Sequence, residues 1–522
     1  MVMVRLSFLA FAGLGSAAAV MDVGTRHVCA TIGSTPKCWG DNKWGQLGRE
    51  DNSTMIGDDP DEMGDNLVGV QVGGTVSEMA LGESHTCMLL DSAEVVCFGK
   101  NDAGQLGLGD TENRGTAVGD VGEVVDFGTG LGAVAVTSGC EHTCALLDDG
   151  SVKCFGENNY GQLGQGTTDN AGDEAGEMGD DLPAVPLTGT VTAIAAGCDF
   201  SCALMDDGTV MCWGRNTWGQ LGAGDSDDRL DGSGLALVAV DLDGSVATSI
   251  AAGEGHVCAL LDDDSVKCWG LNNSGQLGQG EELDRRGDSP ETLGANLPAV
   301  ILGTGDVPVA IDCGTSHTCI LLADDSVKCF GANGYGELGT GTTDDVGLFP
   351  TDMGDNLVAA EVTGVQDVAA GGSTTCAVFA SDSVLCWGLG NDGQLGQGTD
   401  EVVVDFTESE PVDVGSDTFA LTPAPAATLP SAMPSAAPTV SVAANATAAP
   451  SAVSRQIDGT SAPTMAPVTL APLGPGETLP PTPIPTLDVG VEGGNSAPAH
   501  FNGGLLATVV LGAVGFLGTL FL

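Results

Sequence analysis

Between about residues 20 and 415 the apolar positions come in short, loosely alternating runs bounded by glycine and aspartate, which is strand rather than helix patterning. The runs follow one scheme written seven times. A Cys-containing apolar strand leads into an acidic turn, then Cys-(Trp/Phe)-Gly, and shortly afterwards Gly-Gln-Leu-Gly or a close variant. One copy runs from His142 through Cys144, Asp148-Asp149-Gly150 and Cys154-Phe155-Gly156 to Gly161-Gln162-Leu163-Gly164. The aromatic falls at Trp39, Phe98, Phe155, Trp213, Trp269, Phe330 and Trp387, a period of 56 to 61 residues. Such a period marks a modular array.

Each unit predicts a meander, for example Val191–Gly197, Ser201–Met205 and Thr209–Gly214. The preceding stretch Leu182–Leu187, with two prolines, suits an edge strand. A lone four-stranded sheet cannot bury both faces, whereas units set around an axis can, which is the β-propeller arrangement. Ile194-Ala195-Ala196-Gly197 and Ile250-Ala251-Ala252-Gly253 fit strands crowded near that axis, or simply small-residue strand ends. The first unit lacks the Pro/Val segment, and a matching one stands at Glu410–Gly415. The expectation is an all-β, seven-bladed propeller of four-stranded blades, closed by pairing of the N- and C-terminal strands; an open solenoid is the alternative.

The motif Gly-x-x-His-(Thr/Ser/Val)-Cys, followed by Cys-Trp-Gly-x-Asn-x-x-Gly-Gln-Leu-Gly, is similar to the repeat of the regulator of chromosome condensation family, including its secreted cysteine-rich relatives. The resemblance covers about Val20 to Gly415 and implies a seven-bladed propeller. It leaves function open, because the fold hosts nucleotide-exchange, ubiquitin-ligase accessory, channel-associated and inhibitor-binding roles.

Fourteen of the 17 cysteines form seven pairs: Cys29/Cys38, Cys87/Cys97, Cys144/Cys154, Cys202/Cys212, Cys258/Cys268, Cys319/Cys329 and Cys376/Cys386. With Asp148-Asp149-Gly150 as a three-residue hairpin loop, Leu146 faces Val152 and Cys144 faces Cys154. That is a non-hydrogen-bonded pair with Cα atoms roughly 4.5 Å apart, within disulfide reach. A disulfide in every unit is the expectation, with paired buried thiols as the alternative and zinc a weaker third for want of further spaced ligands. Cys140 and Cys198 follow the corner glycine in adjacent units and are candidates for a bridge between them. Cys313 has no evident partner, and an odd count leaves a free thiol or an intermolecular bond.

Residues 1–19 have the basic, apolar and small-residue regions of a secretory signal, with cleavage expected after Ala19. The propeller is expected over 20–415, and a Pro/Ala/Thr/Ser-rich stalk over 416–501. The hydrophobic tail 502–522 has no basic residue after it and matches a glycosylphosphatidylinositol signal, with Asn495 or Ser496 as attachment residue. A retained tail helix is the alternative. Asn52, Asn272 and Asn445 head N-glycosylation triplets.

The net charge of -56, from 71 acidic and 15 basic residues, disfavours nucleic-acid partners. The acidic residues gather in insertions such as Gly57–Asn66 and Gly172–Asp181, where weak Ca²⁺ binding competes with plain solvation. Arg286-Gly287-Asp288 occupies the Gly-Asp position of these same loops and is expected to be a repeat feature rather than an adhesion motif. Five histidines, His27, His85, His142, His256 and His317, precede the strand cysteine, with Phe200 and Thr374 in their place elsewhere. A corner hydrogen bond is expected of them rather than a metal ring. No catalytic constellation, cofactor site or metal site stands out. The expected function is a non-enzymatic propeller on the outer face of the plasma membrane, recognising a protein or glycan. The alternatives are an intracellular exchange factor or scaffold, an enzyme built on the propeller top, and a structural wall or coat protein.

Overall fold

The structure, a computed structural model, describes residues 19–414 apart from 33–34, 52, 231, 382 and 404–410. The expected stalk, tail, attachment residues Asn495 and Ser496, the glycosylation triplets' Asn52 and Asn445, and all but the last residue of the signal segment lie outside these.

Strand chemistry is realised in seven antiparallel sheets of three or four strands. The first contains Met21–Val23, His27–Ile32, Thr35–Asp41 and Met55–Ile56. The second and third contain Val76–Leu81, His85–Leu90, Val95–Gly99 and Ala133–Ser138, His142–Leu147, Val152–Gly156. Val191–Ala196, Phe200–Met205 and Val210–Gly214 make the fourth; Ala247–Ala252, His256–Leu261, Val266–Leu271 and Arg285–Arg286 make the fifth. The sixth and seventh are Pro308–Cys313, His317–Leu322, Val327–Gly331 and Val365–Gly371, Thr374–Phe379, Val384–Gly388. In the third sheet Leu146 pairs with Val152 and Cys144 with Cys154, the register required by the three-residue turn with Gly150 at φ 85°.

The Pro/Val-type segment belongs to a different sheet from the one its position suggested. Val185 donates its N–H to the Val152 carbonyl and Ala184 bridges Lys153, so Leu182–Leu187 edges the sheet that precedes it in sequence. Likewise Val412 donates to Val384, placing 411–414 on the seventh sheet rather than the first. The reason is proximity: after the Gly-Gln-Leu-Gly loop, the returning chain meets the open edge of the strand it has just left.

The first and last sheets nonetheless touch through the bonds that join any sheet to its predecessor. The Trp39 indole donates to the Gln394 carbonyl as Trp213 donates to Gln162 and Trp269 to Gln220. Lys37 reaches the Val414 carbonyl as Lys153 reaches Phe127 and Lys267 reaches Leu242. One apolar cluster contains Val28 and Trp39 of the first sheet, Met88 and Phe98 of the second, and Val378 and Val384 of the seventh. The core thus lies between sheet faces, where burial of large side chains supplies most of the driving force.

A single local rule accounts for the Trp/Phe and His/non-His choices. In each Gly-Gln-Leu-Gly loop the main-chain carbonyl of the Gln, or of Glu337 in the sixth unit, accepts from the next sheet. Where that sheet has Thr or Ser after the His position, the hydroxyl donates: Thr86 to Gln46, Thr143 to Gln105, Thr318 to Gln276. Where it has Val28 or Val257 instead, Trp39 or Trp269 donates; Ser201/Trp213 and Thr375/Trp387 do both. The buried carbonyl is never left without a donor, which would cost about 1–3 kcal/mol. The histidines follow from the same hydroxyls. His27, His85, His142, His256 and His317 meet Thr86, Thr143, Ser201, Thr318 and Thr375 of the following sheet at 2.7–3.0 Å. Because each hydroxyl proton is already given to a carbonyl, Nε2 is the donor, and burial, which lowers each histidine's pKa, favours the neutral ring. Phe200 and Thr374, the two exceptions, stand before the two sheets that have valine.

Candidate functional site

The first strands of all seven sheets line one channel of about 510 Å³. The corner glycines are required there: a Cβ on Gly253 would lie 2.3 Å from the Gly314 carbonyl of the next sheet and 2.4 Å from the His256 ring. Most channel-facing positions are small or apolar, among them Ala193, Ala195, Ile250 and Ala251. Four sheets break this pattern with Asp22, Glu78, Asp312 and Asp367, each half-buried. Three of these carboxylates also tie sheets together. Asp22 accepts from the Leu81 N–H of the second sheet at 2.8 Å, Glu78 from Val136 of the third at 3.3 Å, and Asp312 from Ala370 of the seventh at 2.7 Å.

Enclosure in the channel raises all four. Burial pushes Asp22 to about 6, Asp367 to about 7, and Glu78 and Asp312 to about 8, with the Asp22 charge adding to the rise at the other three. Backbone N–H bonds oppose the shift at each and are outweighed by the loss of hydration.

At the histidine-corner end the channel opens among side chains that differ from unit to unit. Glu83 and Glu254 line its wall. Beside them the Arg215 guanidinium lies 4.9 Å from the Tyr160 ring centroid and 4.6 Å from that of Trp218, and pairs with Asp199 at 2.8 Å. Lys100 pairs with Glu141, and Arg26 with Asp392 at 2.7 Å. Among the described residues, no cation is in ion-pair contact with Glu83, Glu157 or Glu254. Glu254 is pushed up by burial and by Asp199, and Glu157 by burial and by Glu141 and Asp199.

The cysteine pairs named from the sequence are each joined: Cys29–Cys38, Cys87–Cys97, Cys144–Cys154, Cys202–Cys212, Cys258–Cys268, Cys319–Cys329 and Cys376–Cys386. An eighth disulfide, Cys140–Cys198, links the third and fourth sheets at the channel wall. Cys313 is a buried thiol, and burial beside Asp312 pushes its pKa up. It lies near His256 and Cys258, but the Cys258 sulfur is committed to Cys268, so this group lacks three free donors for a metal.

The expectation of a glycan on Asn272 is corrected. The side chain is 1 % exposed; its amide donates to the Glu281 and Leu283 carbonyls and accepts from Leu277, the loop-forming role of Asn158 and Asn333. Arg286 is buried against Glu281 and Asn296, consistent with a repeat role. In the acidic insertions Glu62 accepts from Gly57 and Asp59, and Glu177 from Gly172 and Glu174, so one carboxylate organises each loop.

Sequence reasoning did not single out the channel acids or the Tyr160–Arg215–Trp218 cluster. The available signal was an acid in a strand position that other units fill with Ala, Ser or Thr. For the cluster it was the variable residues one and four places after the glycine of each Cys-(Trp/Phe)-Gly.

These features define a class: a modular all-β protein whose shared residues knit sheets together and whose individual residues collect at one end of a channel. The family model for the RCC1-like domain matches residues 117–452, more than half of the chain, and that for the regulator of chromosome condensation (RCC1) repeat matches 76–105. The chain belongs to the RCC1-like family. It is 30% identical over 324 residues to the ultraviolet-B receptor UVR8 of Arabidopsis thaliana, covering 61% of this chain and 66% of that protein. It is 30% identical over 376 residues to the human E3 ubiquitin-protein ligase HERC2, covering 70% of this chain but 7% of the ligase. Among solved structures, Prp20p of Saccharomyces cerevisiae superposes with a TM-score of 0.56 at 21% identity, over 75% of this chain and 87% of that one. Human WBSCR16 gives 0.51 at 22%, over 69% and 86%. At these identities the structures bear on fold alone.

Proposed function

We propose that this chain is a closed seven-bladed propeller on the outer surface of a cell, binding a protein partner at the histidine-corner end of its channel without catalysing a reaction. The observation that carries the binding reading is where individuality lies. Residues repeated in every unit are used up in sheet-to-sheet bonds, whereas Tyr160, Lys100, Glu157, Arg215, Trp218 and Glu254, which differ between units, gather at one mouth. Half-buried aromatic and arginine side chains are the groups that dominate protein interfaces. UVR8 is a receptor by name, and Prp20p is described with binding properties to Gsp1p and histones, which supports a protein-interaction role for this fold.

Ring closure is supported by the Trp39–Gln394 and Lys37–Val414 bonds, which repeat those between consecutive sheets. The outer surface is favoured because 16 of 17 cysteines are paired, a pattern that persists in oxidising compartments. The leader at 1–19, stalk at 416–501 and lipid attachment at Asn495 or Ser496 complete the proposal. Surface labelling of intact cells, before and after phosphatidylinositol-specific phospholipase, tests location: the full chain is expected to be labelled and released. Cross-linking on those cells tests binding. Tyr160→Ala/Trp218→Ala is expected to abolish a cross-linked protein adduct that the parent chain forms; an adduct unchanged by this pair places the interface elsewhere.

A further inference from the structure

The carboxylates lining the channel are Asp22, Glu78, Glu83, Glu254, Asp312 and Asp367, and the Cys313 thiol is the other ionisable group; no lysine, arginine or histidine is among the lining residues. The cations at the mouth, Arg26, Lys100 and Arg215, are each paired with other carboxylates. The acidic groups of the cavity are therefore neutral or negative and never positive, with no internal counter-ion for those that ionise, and the low-polarity walls strengthen their field.

The sign of the charge rejects phosphate-bearing ligands, and an uncharged glycan gains nothing from it. A compact dication is also a poor match. It needs several oxygens at one point, and among the described residues the carboxylates do not converge in that way; the one converging group is His256, Cys258 and Cys313. Dispersed carboxylates in a cavity of about 510 Å³ suit a cation with an apolar stem and several N–H donors. The mouth already shows this chemistry within the chain, since the Arg215 guanidinium rests against Tyr160 and Trp218 while bonding to Asp199. Stacking of this kind strengthens a charge-assisted contact.

We propose that the channel mouth docks a basic segment of a protein partner, one lysine or arginine side chain entering past Glu83 and Glu254 toward Asp22 and Glu78. This rests on the interaction role proposed above and names the chemistry of the partner. Glu83 and Glu254 stand at the entrance, where their charge acts on the approaching cation while taking no part in the sheet-to-sheet bonds of Asp22, Glu78 and Asp312.

The test is calorimetric titration of the full chain with a ten-residue Lys/Arg-Gly peptide, its Glu-Gly counterpart and spermidine. Two variants lose the same charge: Glu83→Gln/Glu254→Gln at the mouth and Asp59→Asn/Asp61→Asn in an outlying acidic loop. The basic peptide is expected to bind, the acidic one not, with affinity falling at least tenfold in the mouth variant and less than twofold in the loop variant. Equal losses in both variants would reduce the effect to diffuse charge and overturn the proposal, as would absence of binding. Spermidine binding as tightly as the peptide, with the same response to the variants, would replace the docking site by a free-polyamine site. If the cell-surface adduct survives the mouth substitutions but not Tyr160→Ala/Trp218→Ala, the interaction role stands and the basic partner falls.

Discussion

The indole N–H of Trp39 donates to the main-chain carbonyl of Gln394 at 2.9 Å, although 355 residues separate them. Val28, the residue after His27, offers no hydroxyl to that carbonyl, so the indole is the donor the site depends on. At Trp213 the acceptor Gln162 is also served by Ser201. Trp39→Phe should therefore cost about 1–2 kcal/mol by stranding a buried carbonyl, and Trp213→Phe about half of that or less. Urea unfolding of the two variants checks the ordering; equal losses would mean the Gln394 carbonyl finds another donor.

The pairing of His with a hydroxyl on the following sheet predicts a coupling between Thr374 and Val28. Thr374→His alone gives up the Thr374 bond to Leu389 and buries an imidazole opposite a methyl group. Val28→Thr alone buries a hydroxyl. Together they recreate the His27–Thr86 arrangement across the first and last sheets, so the double variant should be more stable than the sum of the singles by about 1 kcal/mol. Zero coupling in the denaturation cycle would separate these residues in space and with them the two ends of the array.

Much of this was visible in the sequence because the repeat does the same physical task seven times. Cys144 opposite Cys154 followed from turn length and strand alternation alone, and the corner role of the histidines from their recurrence. The edge segment was assigned to the wrong sheet because its alternation is equally compatible with either neighbour; only the path of the returning chain decides. Asn272 was misjudged since a glycosylation triplet specifies chemistry and not exposure. The channel acids escaped because a carboxylate such as Glu78 looks like a solvated strand residue until the first strands of the other sheets are seen to line the same cavity.

Disulfide position should separate two contributions to stability. Cys144–Cys154 closes a short loop, with a separation of 10, while Cys140–Cys198 spans 58 residues and ties one sheet to the next. Loop-closure entropy gives slightly under ~3 kcal/mol for the former and ~4 kcal/mol for the latter. Cys140→Ser/Cys198→Ser is thus expected to lower the unfolding free energy more than Cys144→Ser/Cys154→Ser, by about 1 kcal/mol. The reverse order in guanidinium titrations would mean that packing around Cys144, not chain entropy, sets the contribution.

Stability should pass through a maximum near about pH 6, because two sets of buried groups pull in opposite directions. Asp22, Asp367, Glu78 and Asp312 have folded-state values raised to about 6, 7, 8 and 8. Unfolded carboxyls titrate near ~4, so above that the folded state holds more protons and stability falls as pH rises, until about pH 8. The histidines act the other way. Burial lowers His27, His85 and His256 to about 3 and His142 and His317 to about 4, against ~6.5 when unfolded. Below ~6.5 the unfolded chain takes up protons that the folded chain refuses, and stability falls with acidification. Thermal unfolding from pH 4 to 9 should trace this curve. Glu78→Gln/Asp312→Asn removes part of the fall that runs from about pH 4 to 8, so it should flatten the alkaline limb, steepen the acid limb and move the maximum upward, whereas His256→Phe, which copies Phe200, should soften only the acid limb. A melting temperature still climbing from pH 7 to 9 in the parent chain would mean that the channel carboxylates are ionised at neutral pH at little cost.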